Sequence, residues 1–212
     1  INAADVATRG SIRDITGKQT VTNHGVSTTL NNGCLNFVAS ESDYIDCGFK
    51  PNLTKWTLEY NFYLAELPST NITMIGWGAS GNRTAIGIWG DGSTYMIAIN
   101  DSTLNRICAK SLLLSLVHII LTYDNGKIIA YVNGEKSQIA TNANVMSSQA
   151  GNLMIGTKYS TSGEFGNIHL KSLRFYDNKV LTDEEALQNY NYEINRNDGI
   201  IKPTWINNMK LD

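Results

Sequence analysis

Residues 118–135 read HIILTYDNGKIIAYVNGE. Two apolar segments, His118–Tyr123 and Lys127–Val132, flank the dipeptide Asn125-Gly126. Asn-Gly between two such segments is the strongest short-range signal for a β-hairpin, because both residues tolerate the positive φ that a type I′ turn requires. Asn133-Gly134 repeats the signal after the second segment. The stretch therefore predicts consecutive antiparallel strands.

The same organisation extends through most of the chain. Short apolar segments recur every eight to fifteen residues, separated by Gly, Asn, Ser, Thr and Asp. This spacing is typical of a sandwich or barrel rather than of alternating strands and helices. In Trp56–Tyr63 the even-numbered residues fall on one face and the odd-numbered ones on the other. Further strands are predicted at Gly33–Phe37, Tyr44–Cys47, Thr73–Trp77, Ala85–Trp89, Tyr95–Asn100, Arg106–Ala109, Leu153–Thr157 and Ile168–Tyr176. We predict an all-β sandwich of two antiparallel sheets.

One short helix is predicted near the end of the sequence. Residues 182–185 form a capping box, in which the Thr182 hydroxyl accepts a hydrogen bond from Glu185 N–H and the Glu185 carboxylate reaches back. The acidic residues in this segment also lie at the positive end of the helix dipole. Leu187, Tyr190 and Ile194 follow at helical spacing. We expect this apolar stripe to lie on the sandwich.

Several segments, in order and spacing, resemble laminin-G-like domains of the concanavalin A-like lectin/glucanase superfamily. They are Asp14–Gly17, the predicted hairpin Gly33–Phe37 with Asp43–Gly48, residues 118–135, and Ser172–Glu185. The resemblance implies a jelly-roll sandwich that binds glycans or proteins through loops at its rim. The ending Tyr190–Arg196 resembles modules in phage tail or fibre proteins and in gut-bacterial surface proteins.

The chain is predicted to hold one domain. Residues 10–198 are assigned to the jelly roll and residues 1–9 to a linker, so we expect a piece of a longer protein. The segment 199–212 includes Trp205 and is too apolar for a solvated tail. We expect it to pack on the domain, contact a partner or begin another domain.

Charge and hydropathy exclude two classes of partner. The net charge is −2 and no run of Lys or Arg is present, so we expect no nucleic acid and no membrane surface as partner. The longest apolar segment, Leu112–Leu121, is interrupted by Ser115 and His118. It is too short to span a bilayer, so we expect no membrane insertion.

Cysteine usage favours free thiols. Cys34, Cys47 and Cys108 cannot all pair with one another, and their spacing does not suggest zinc. Cys34 and Cys47 stand where a strand would carry an apolar residue, which favours burial. If Phe37 pairs with Tyr44 across the predicted hairpin, Cys34 faces Cys47, and a disulfide between them stays open.

Three predicted loops carry the side chains that bind sugars, namely aromatic rings for stacking and polar groups for hydroxyls. Loops on a rigid scaffold often hold the binding residues. The candidate ligand-binding residues are Trp77, Asn82 and Arg83 in the first loop, Trp89 and Asp91 in the second, and Tyr159 and Glu164 in the third. The alternative for both tryptophans is a place in the core.

The resemblance makes calcium a candidate cofactor, because many such domains carry it. Asp14, Asp43 and Asp177 are acidic loop positions that could hold a hard cation together with backbone carbonyls. The alternative for each is to cap its own turn through hydrogen bonds with the backbone. We expect structural roles for the scattered histidines, which are His24, His118 and His169.

The resemblance also makes an enzyme an alternative, because the same superfamily contains glucanases with catalytic carboxylates that alternate along one strand. The nearest pattern is Glu41, Asp43 and Asp46. Its last member is Asp rather than Glu, and the resemblance places the set in a turn. No Gly-x-Ser-x-Gly segment or phosphate-binding loop is present. We therefore predict that the chain is not an enzyme.

The main hypothesis is a non-catalytic carbohydrate-binding or adhesion module of a larger phage fibre or bacterial surface protein. Its partner would be a glycan or a cell-surface receptor, and its location extracellular, on a virion or on a bacterial surface. We expect a homo-oligomer assembled through the parent protein. The alternative is a structural decoration domain that contacts other virion or surface-protein subunits, and a glycan hydrolase is the remote alternative.

Overall fold

The computed structural model describes residues 1–79, 81–89, 94–99, 104–140, 151–158 and 163–197. Within these residues the chain forms two antiparallel sheets of seven strands each. The strands are β1 (Thr22–His24), β2 (Ser27–Asn31), β3 (Cys34–Phe37), β4 (Tyr44–Asp46), β5 (Lys55–Tyr63), β6 (Ile72–Trp77), β7 (Thr84–Ile88), β8 (Thr94–Ile99), β9 (Leu104–Ala109), β10 (Val117–Asp124), β11 (Lys127–Val132), β12 (Glu135–Ala140), β13 (Met154–Ile155) and β14 (Ile168–Asp177). The helices are α1 (Ala3–Arg9) and α2 (Asp183–Asn197), with short 3-10 helices at Ala39–Glu41 and Lys110–Leu114. The predicted two-sheet sandwich with a C-terminal helix is confirmed. Within the described ranges, neither helix has the length and apolar content of a membrane-spanning segment.

The two sheets enclose one core. The first sheet has the strand order β1-β4-β13-β6-β7-β8-β9, and the second has the order β12-β11-β10-β5-β14-β3-β2. The alternation predicted for β5 is confirmed. Its core face consists of Trp56, Leu58, Tyr60 and Phe62. Its opposite face is also buried, and includes Thr57, Glu59 and Asn61.

Asn-Gly turns join several neighbouring strands. The hairpins predicted at Asn125-Gly126 and Asn133-Gly134 are confirmed, and all four of these residues have positive φ. Asn32-Gly33 has the same backbone, with φ of 49° and 74°, and joins β2 to β3. These positions need residues that tolerate left-handed backbone, which Gly and Asn do at least cost.

The predicted hairpin between β3 and β4 is wrong. β3 lies in the second sheet, where Phe37 pairs with Ile168. β4 lies in the first sheet, where Tyr44 pairs with His24. Residues 38–43 therefore cross from one sheet to the other instead of turning within one sheet.

The prediction of buried free thiols is confirmed for Cys34, Cys47 and Cys108. Cys34 begins β3 and Cys47 follows β4, so the two residues belong to different sheets. Burial raises the pKa of Cys47 to about 12 and that of Cys108 to about 11. Both therefore stay in the unreactive thiol form at neutral pH.

Residues 1–9 are not a linker, contrary to the sequence prediction. Most of the segment forms α1, and the side chain of Asn2 caps the start of this helix. Ala3 and Val6 are buried in the core at 0% and 1% exposure. The short apolar face is enough to dock the segment on the sandwich. The predicted tail 199–212 lies outside the described residues.

α2 begins with the predicted capping box. Glu185 N donates to Thr182 Oγ1 at 3.2 Å, and Thr182 N donates to Glu185 Oε2 at 2.9 Å. The predicted apolar stripe is confirmed only at Tyr190, whose ring lies 5.6 Å from that of His118, because Leu187 and Ile194 are exposed at 50% and 36%. The face that meets the sheet is mixed, and includes Ala186, Asn189 and Glu193.

The partner of that mixed face is Glu59, which is 1% exposed on the outer side of β5. Its carboxylate has four polar neighbours, which are His118 Nε2 at 3.0 Å, Arg174 Nη1 at 2.6 Å, Tyr176 Oη at 2.9 Å and Asn189 Nδ2 at 2.8 Å. Arg174 also pairs with Glu193 of α2. A buried ionic network thus fastens α2 to the second sheet, and His118 has a structural role in it.

Candidate functional site

A row of small residues crosses the outer face of the first sheet. Gly76, Ala85 and Ala98 are successive partners on β6, β7 and β8, and Ala98 pairs in turn with Leu104 of β9. Ile86, which follows Ala85, points into the core. By strand alternation the row points away from the core. The depression that the small residues leave is filled at Gly76 by the backbone of Lys158, whose Cα would lie 2.9 Å from an added Cβ atom, and it stays open next to Ala98.

An indole borders this depression. Gly87 faces outward on β7, and Trp89 follows two residues later on the same side of the strand. A Cβ atom on Gly87 would lie 2.8 Å from the Trp89 ring and 2.1 Å from the carbonyl oxygen of Ile72. Position 87 therefore requires glycine, and its absent side chain makes the room in which the indole lies.

The depression forms an open pocket of about 240 Å³. Its lining residues are Asn71, Arg83, Ala85, Trp89, Ala98, Leu104 and Glu164. Its apolar lining consists of Ala85, Ala98, Trp89 and Leu104, of which Leu104 is 48% exposed and the other three are buried at 0–7%. Its polar lining consists of charged and amide side chains. Such a pocket suits a small ligand that has both an apolar and a polar face.

Glu164 forms the polar wall of the pocket. Its backbone is left-handed, with a φ of 59°, which is uncommon for a residue other than Gly. Its carbonyl oxygen accepts a hydrogen bond from Thr73 N at 2.8 Å, which holds the loop against β6. Its carboxylate oxygen Oε2 accepts from Thr73 Oγ1 at 2.6 Å and from Trp89 Nε1 at 3.2 Å. The wall, the indole and the strand are therefore fixed to one another.

Two cations lie next to the Glu164 carboxylate. Lys158 Nζ is 3.2 Å from Oε1, and Arg83 Nη1 is 3.9 Å from the same oxygen. Burial alone would raise the pKa of Glu164, but the hydrogen bonds from Thr73, Trp89 and Lys158 outweigh it and lower this pKa. The carboxylate is therefore ionised at neutral pH.

The structure assembles part of the predicted binding set. Three of the candidates line the pocket, namely Arg83, Trp89 and Glu164. Asn82 is exposed beside Arg83 and is not among the lining residues. Asp91 and Tyr159 lie outside the described residues.

Trp77 does not belong to the site, and its prediction as a ligand-binding residue is wrong. The side chain is 1% exposed and lies in the core. Its ring meets that of Trp56 edge to face, with centroids 5.2 Å apart. The alternative of a core tryptophan is the correct one, because residue 77 continues the inward-facing side of β6.

Sequence reasoning missed Asn71, Lys158 and the alanines of the apolar lining. Asn71 precedes the strand predicted from Thr73, and Lys158 precedes the predicted loop that contains Glu164. The sequence does contain one signal for a hollow on the sheet surface, which is the alternation of small residues at positions 85 and 87 with Ile86 and Ile88. Small residues on one face of a strand leave space against its surface.

The three metal candidates are separate residues, of which Asp14 and Asp43 bond to nearby backbone whereas Asp177 ties the end of β14 to the segment that contains Asn52. Asp14 accepts hydrogen bonds from three backbone N–H groups of its own turn. Asp43 Oδ2 accepts from Val38 N at 2.9 Å, and Asp177 Oδ1 accepts from Asn52 N at 2.8 Å. In the part of the chain that the structure describes, no three His, Cys, Asp or Glu side chains group as metal ligands would. Calcium binding stays a prediction.

The carboxylates considered for hydrolysis lie at the crossing between the sheets and on β4. Glu41 ends the 3-10 helix there, and Asp43 is 1% exposed. Asp46 ends β4 and accepts hydrogen bonds from Gly48 N and Asn152 Nδ2. None of the three lines the pocket described above.

Comparison with known proteins identifies relatives of the fold. The laminin-G-like family model of the Concanavalin A-like lectin/glucanases superfamily matches residues 39–186. No curated protein sequence matches the chain. A similar solved structure is domain 4 of AbnA, a GH43 extracellular arabinanase from Geobacillus stearothermophilus, in complex with arabinotriose. The TM-score is 0.62 and the identity 16%, over 85% of this chain and 93% of that chain.

Two larger proteins contain a similar structure. The ligand binding domain of botulinum neurotoxin serotype D, in complex with N-acetylneuraminic acid, has a TM-score of 0.65 and 14% identity, over 87% of this chain and 48% of that chain. A mutant Trypanosoma rangeli sialidase displaying trans-sialidase activity has a TM-score of 0.61 and 13% identity, over 82% of this chain and 30% of that chain. This chain therefore spans less than half the length of either protein. At these identities the likeness concerns the fold.

Proposed function

This chain belongs to the Concanavalin A-like lectin/glucanases superfamily, and from that premise we propose that it is a non-catalytic carbohydrate-binding module. One observation carries the proposal. An apolar lining that includes the Trp89 indole is bordered by a fixed cluster of hydrogen-bonding groups around Glu164. The pocket volume of about 240 Å³ is smaller than the pockets of drug-sized ligands, which suits a single sugar unit.

The pocket matches the two kinds of surface that a sugar ring presents. The C–H face of the ring would lie on Leu104 and Ala98 beside the indole, and its hydroxyl groups would meet Asn71 and Arg83. The indole is held by its hydrogen bond to Glu164. Because the wall is fixed before binding, its side chains lose little conformational entropy when a ligand binds, which favours affinity.

The comparisons also support a sugar ligand. Domain 4 of the arabinanase was solved with arabinotriose, and the toxin domain with N-acetylneuraminic acid. The arabinanase domain is matched over 93% of its length, so one domain of this fold has been solved with a saccharide, whereas the match to the toxin covers 48% of that chain. The sialidase is an enzyme, so catalysis has to be argued from the site itself.

The chemistry of the pocket supports binding without catalysis. Hydrolysis of a glycosidic bond ordinarily uses two carboxyl groups, about 5–5.5 Å or about 6.5–9.5 Å apart. Glu164 is the single carboxylate among the described residues that line the pocket. Its lowered pKa makes it a poor proton donor at neutral pH.

The wider setting that we propose is an adhesion module of a phage fibre or bacterial surface protein. A shallow pocket that takes one sugar unit binds weakly by itself. Repetition of the module in a homo-oligomer of the parent protein would raise the effective affinity for a surface covered with glycans. The partner would then be a glycan or glycosylated receptor outside the cell.

A structural decoration domain is the second candidate, and one observation favours it. Leu112, Leu114 and Leu116 follow one another closely and are exposed at 45%, 49% and 38%. Clustered exposed leucines are typical of surfaces that other proteins cover. This candidate would be favoured if replacing these leucines with Ser abolished self-association or the binding of another subunit.

The proposal is tested by filling the pocket. A glycan array identifies the bound saccharides, and calorimetry then compares the wild type with Ala98→Met. The added side chain would occupy the pocket, and Met96 already occupies the same face of β8 two residues away. We expect Ala98→Met to reduce the affinity at least about tenfold, equivalent to about 1.4 kcal/mol.

Ala7→Met is the matched control, because Ala7 is exposed on α1, away from the first sheet. It should bind like the wild type, and circular dichroism should show both variants folded. Equal affinity of all three proteins for the array ligand would place the sugar elsewhere on the domain. The lack of any array ligand would reject the proposal itself.

A further inference from the structure

Two stacked rings, which we call the aromatic pair, lie on the outer face of the first sheet. They belong to His24 of β1 and Tyr44 of β4, which are cross-strand partners, and their centroids are 4.1 Å apart with 9° between the ring planes. Ile45 points into the core, so its neighbour Tyr44 points outward together with His24. β1 is the edge strand of this sheet, and His24 is exposed. The face of the imidazole opposite Tyr44 is therefore turned toward the open edge of the sheet.

The turn after β1 holds the aromatic pair in place. Asn23 Nδ2 donates to Val26 O at 2.7 Å and closes this turn. Gly25 within the turn has a φ of 90°, and a Cβ atom there would lie 2.1 Å from Asp43 Oδ1. The turn therefore packs directly on the residue that precedes Tyr44. Because this arrangement is fixed before a ligand binds, little conformational entropy is lost on binding.

A third aromatic ring lies between the aromatic pair and the pocket. Phe165 is half-buried, and the centroid of its ring is 6.4 Å from that of Tyr44. Phe165 directly follows Glu164, which forms the polar wall of the pocket. Both neighbours of Phe165 are fixed, because the carbonyl oxygen of Glu164 accepts from Thr73 N and Gly166 is buried. The pocket wall, this ring and the aromatic pair therefore follow one another across the sheet.

The distance across this row exceeds one sugar ring. β4 carries Tyr44, and β7 carries Ala85 of the pocket lining. β13 and β6 lie between these two strands in the sheet. Three strand spacings place β4 about 14 Å from β7. A ligand that reaches from the pocket to the aromatic pair must therefore contain several sugar rings.

We infer that His24, Tyr44 and Phe165 form a second carbohydrate-binding subsite, which takes a further unit of the glycan that the pocket binds. The C–H face of that unit would lie on the exposed face of the His24 imidazole, because the faces of aromatic rings are negative and attract polarised C–H groups. The ligand class is then an oligosaccharide of several units rather than a single sugar. This inference rests on the proposed function, because it extends glycan binding from the pocket to a second surface.

The test measures the affinity of the complete chain as a function of ligand length. Calorimetry uses arabinose, arabinotriose and arabinopentaose, because a domain of similar fold was solved with arabinotriose. It also uses the mono-, tri- and pentasaccharide of the series that gives the strongest signal on the glycan array. We expect the affinity to rise at least about tenfold from the monosaccharide to the pentasaccharide of a series that binds.

Variants assign this length dependence to the aromatic pair. His24→Ala should reduce the gain from monosaccharide to pentasaccharide to less than about threefold and leave the affinity for the monosaccharide within about twofold. His24→Phe keeps an aromatic face and should retain most of the gain. Tyr44→Ala, a second variant, removes the ring on which His24 stacks and should also reduce the gain. Circular dichroism verifies that each variant is folded.

Tyr192→Ala is the matched control. Tyr192 is also an exposed aromatic residue, at 52%, but it lies on α2, which packs on the second sheet. This variant should show the same length dependence as the wild type. An equal loss of the gain in Tyr192→Ala and His24→Ala would contradict a subsite at the edge of the first sheet.

The outcomes separate this inference from the function on which it rests. An affinity that does not depend on ligand length would overturn the inference and leave a carbohydrate-binding module with one pocket. A length dependence that survives both His24→Ala and Tyr44→Ala would also overturn it. Failure to bind any saccharide, on the array or in solution, would reject the proposed function as well.

Discussion

Glu59 and Arg174 are direct cross-strand partners on β5 and β14, and Arg174 Nη1 lies 2.6 Å from Glu59 Oε1. The Glu59 side chain is 1% exposed and that of Arg174 is 29% exposed. A second guanidinium nitrogen pairs with Glu193 of α2, which is also 1% exposed. One arginine therefore neutralises buried carboxylates from a strand and from the helix above it.

Arg174→Met is expected to destabilise the fold strongly. It leaves Glu59 and Glu193 buried without their shared cation, and removing one partner of a buried ion pair costs about 3–5 kcal/mol. We expect the lower end of that range, because part of the Arg174 side chain is exposed. Urea unfolding measures the change in the free energy of unfolding.

The matched control is Lys136→Met. It breaks the exposed ion pair between Lys136 of β12 and Asp183 of α2, and it should change the free energy of unfolding by less than about 1 kcal/mol. Similar losses for both variants would contradict a special role for the buried pair.

The Glu59 network should make the fold sensitive to acid. Burial by itself would raise the pKa of Glu59, but its hydrogen bond with His118 and the charge of Arg174 lower it below its ordinary value. A group with a lowered pKa in the folded state stabilises the fold above its unfolded pKa. That contribution is lost as pH falls through the folded pKa. The relevant window is therefore below about pH 4.3, the ordinary value for glutamate.

Glu59→Gln provides the measurement. At neutral pH the variant should be about 1–3 kcal/mol less stable than the wild type, because a charged acceptor is replaced by a neutral amide. The difference between the two proteins should shrink as pH is lowered through the window. A stability difference that stays constant down to acid unfolding would show that Glu59 does not titrate in this way.

The capping box makes a smaller and separate contribution. Thr182→Ala removes the hydroxyl that accepts from Glu185 N, and loss of such a cap costs about 1 kcal/mol. Thr182→Ser keeps the hydroxyl and should restore most of the stability. Gln188→Ala, an exposed position in the middle of the same helix, should be close to neutral. Chemical denaturation ranks the three variants, and a Thr182→Ala variant as stable as the wild type would contradict a role for the cap.

Most of the fold could be predicted from the sequence because its signals are local. Asn125-Gly126 and Asn133-Gly134 specify turns by backbone conformation alone, and the Thr182 cap specifies a helix start in four residues. The crossing at residues 38–43 could not be predicted. A short polar connection has the same composition whether it turns within a sheet or passes to the other one.

The errors at α2 and at the site have a common physical cause. Leu187 and Ile194 resembled a packing stripe, but the helix turns Asn189 and Glu193 inward because Arg174 and Glu59 lie opposite. The sequence of the helix by itself does not predict those partners on the sheet. In the same way Arg83, Trp89 and Glu164 were recognisable by residue type, whereas the apolar lining of the pocket depends on which strands become neighbours in the sheet.

The alternation of β7 bears on how such a domain can diverge. Ile86 and Ile88 serve the interior, while Ala85 and Gly87 shape the outer surface. Mutations on the outward face of a strand can therefore change what the surface recognises without replacing the residues that hold the sheets together. The inward residues of a strand determine the stability of the fold, and the outward residues determine which ligand it binds. Proteins that share the sandwich can therefore acquire new ligands through few mutations.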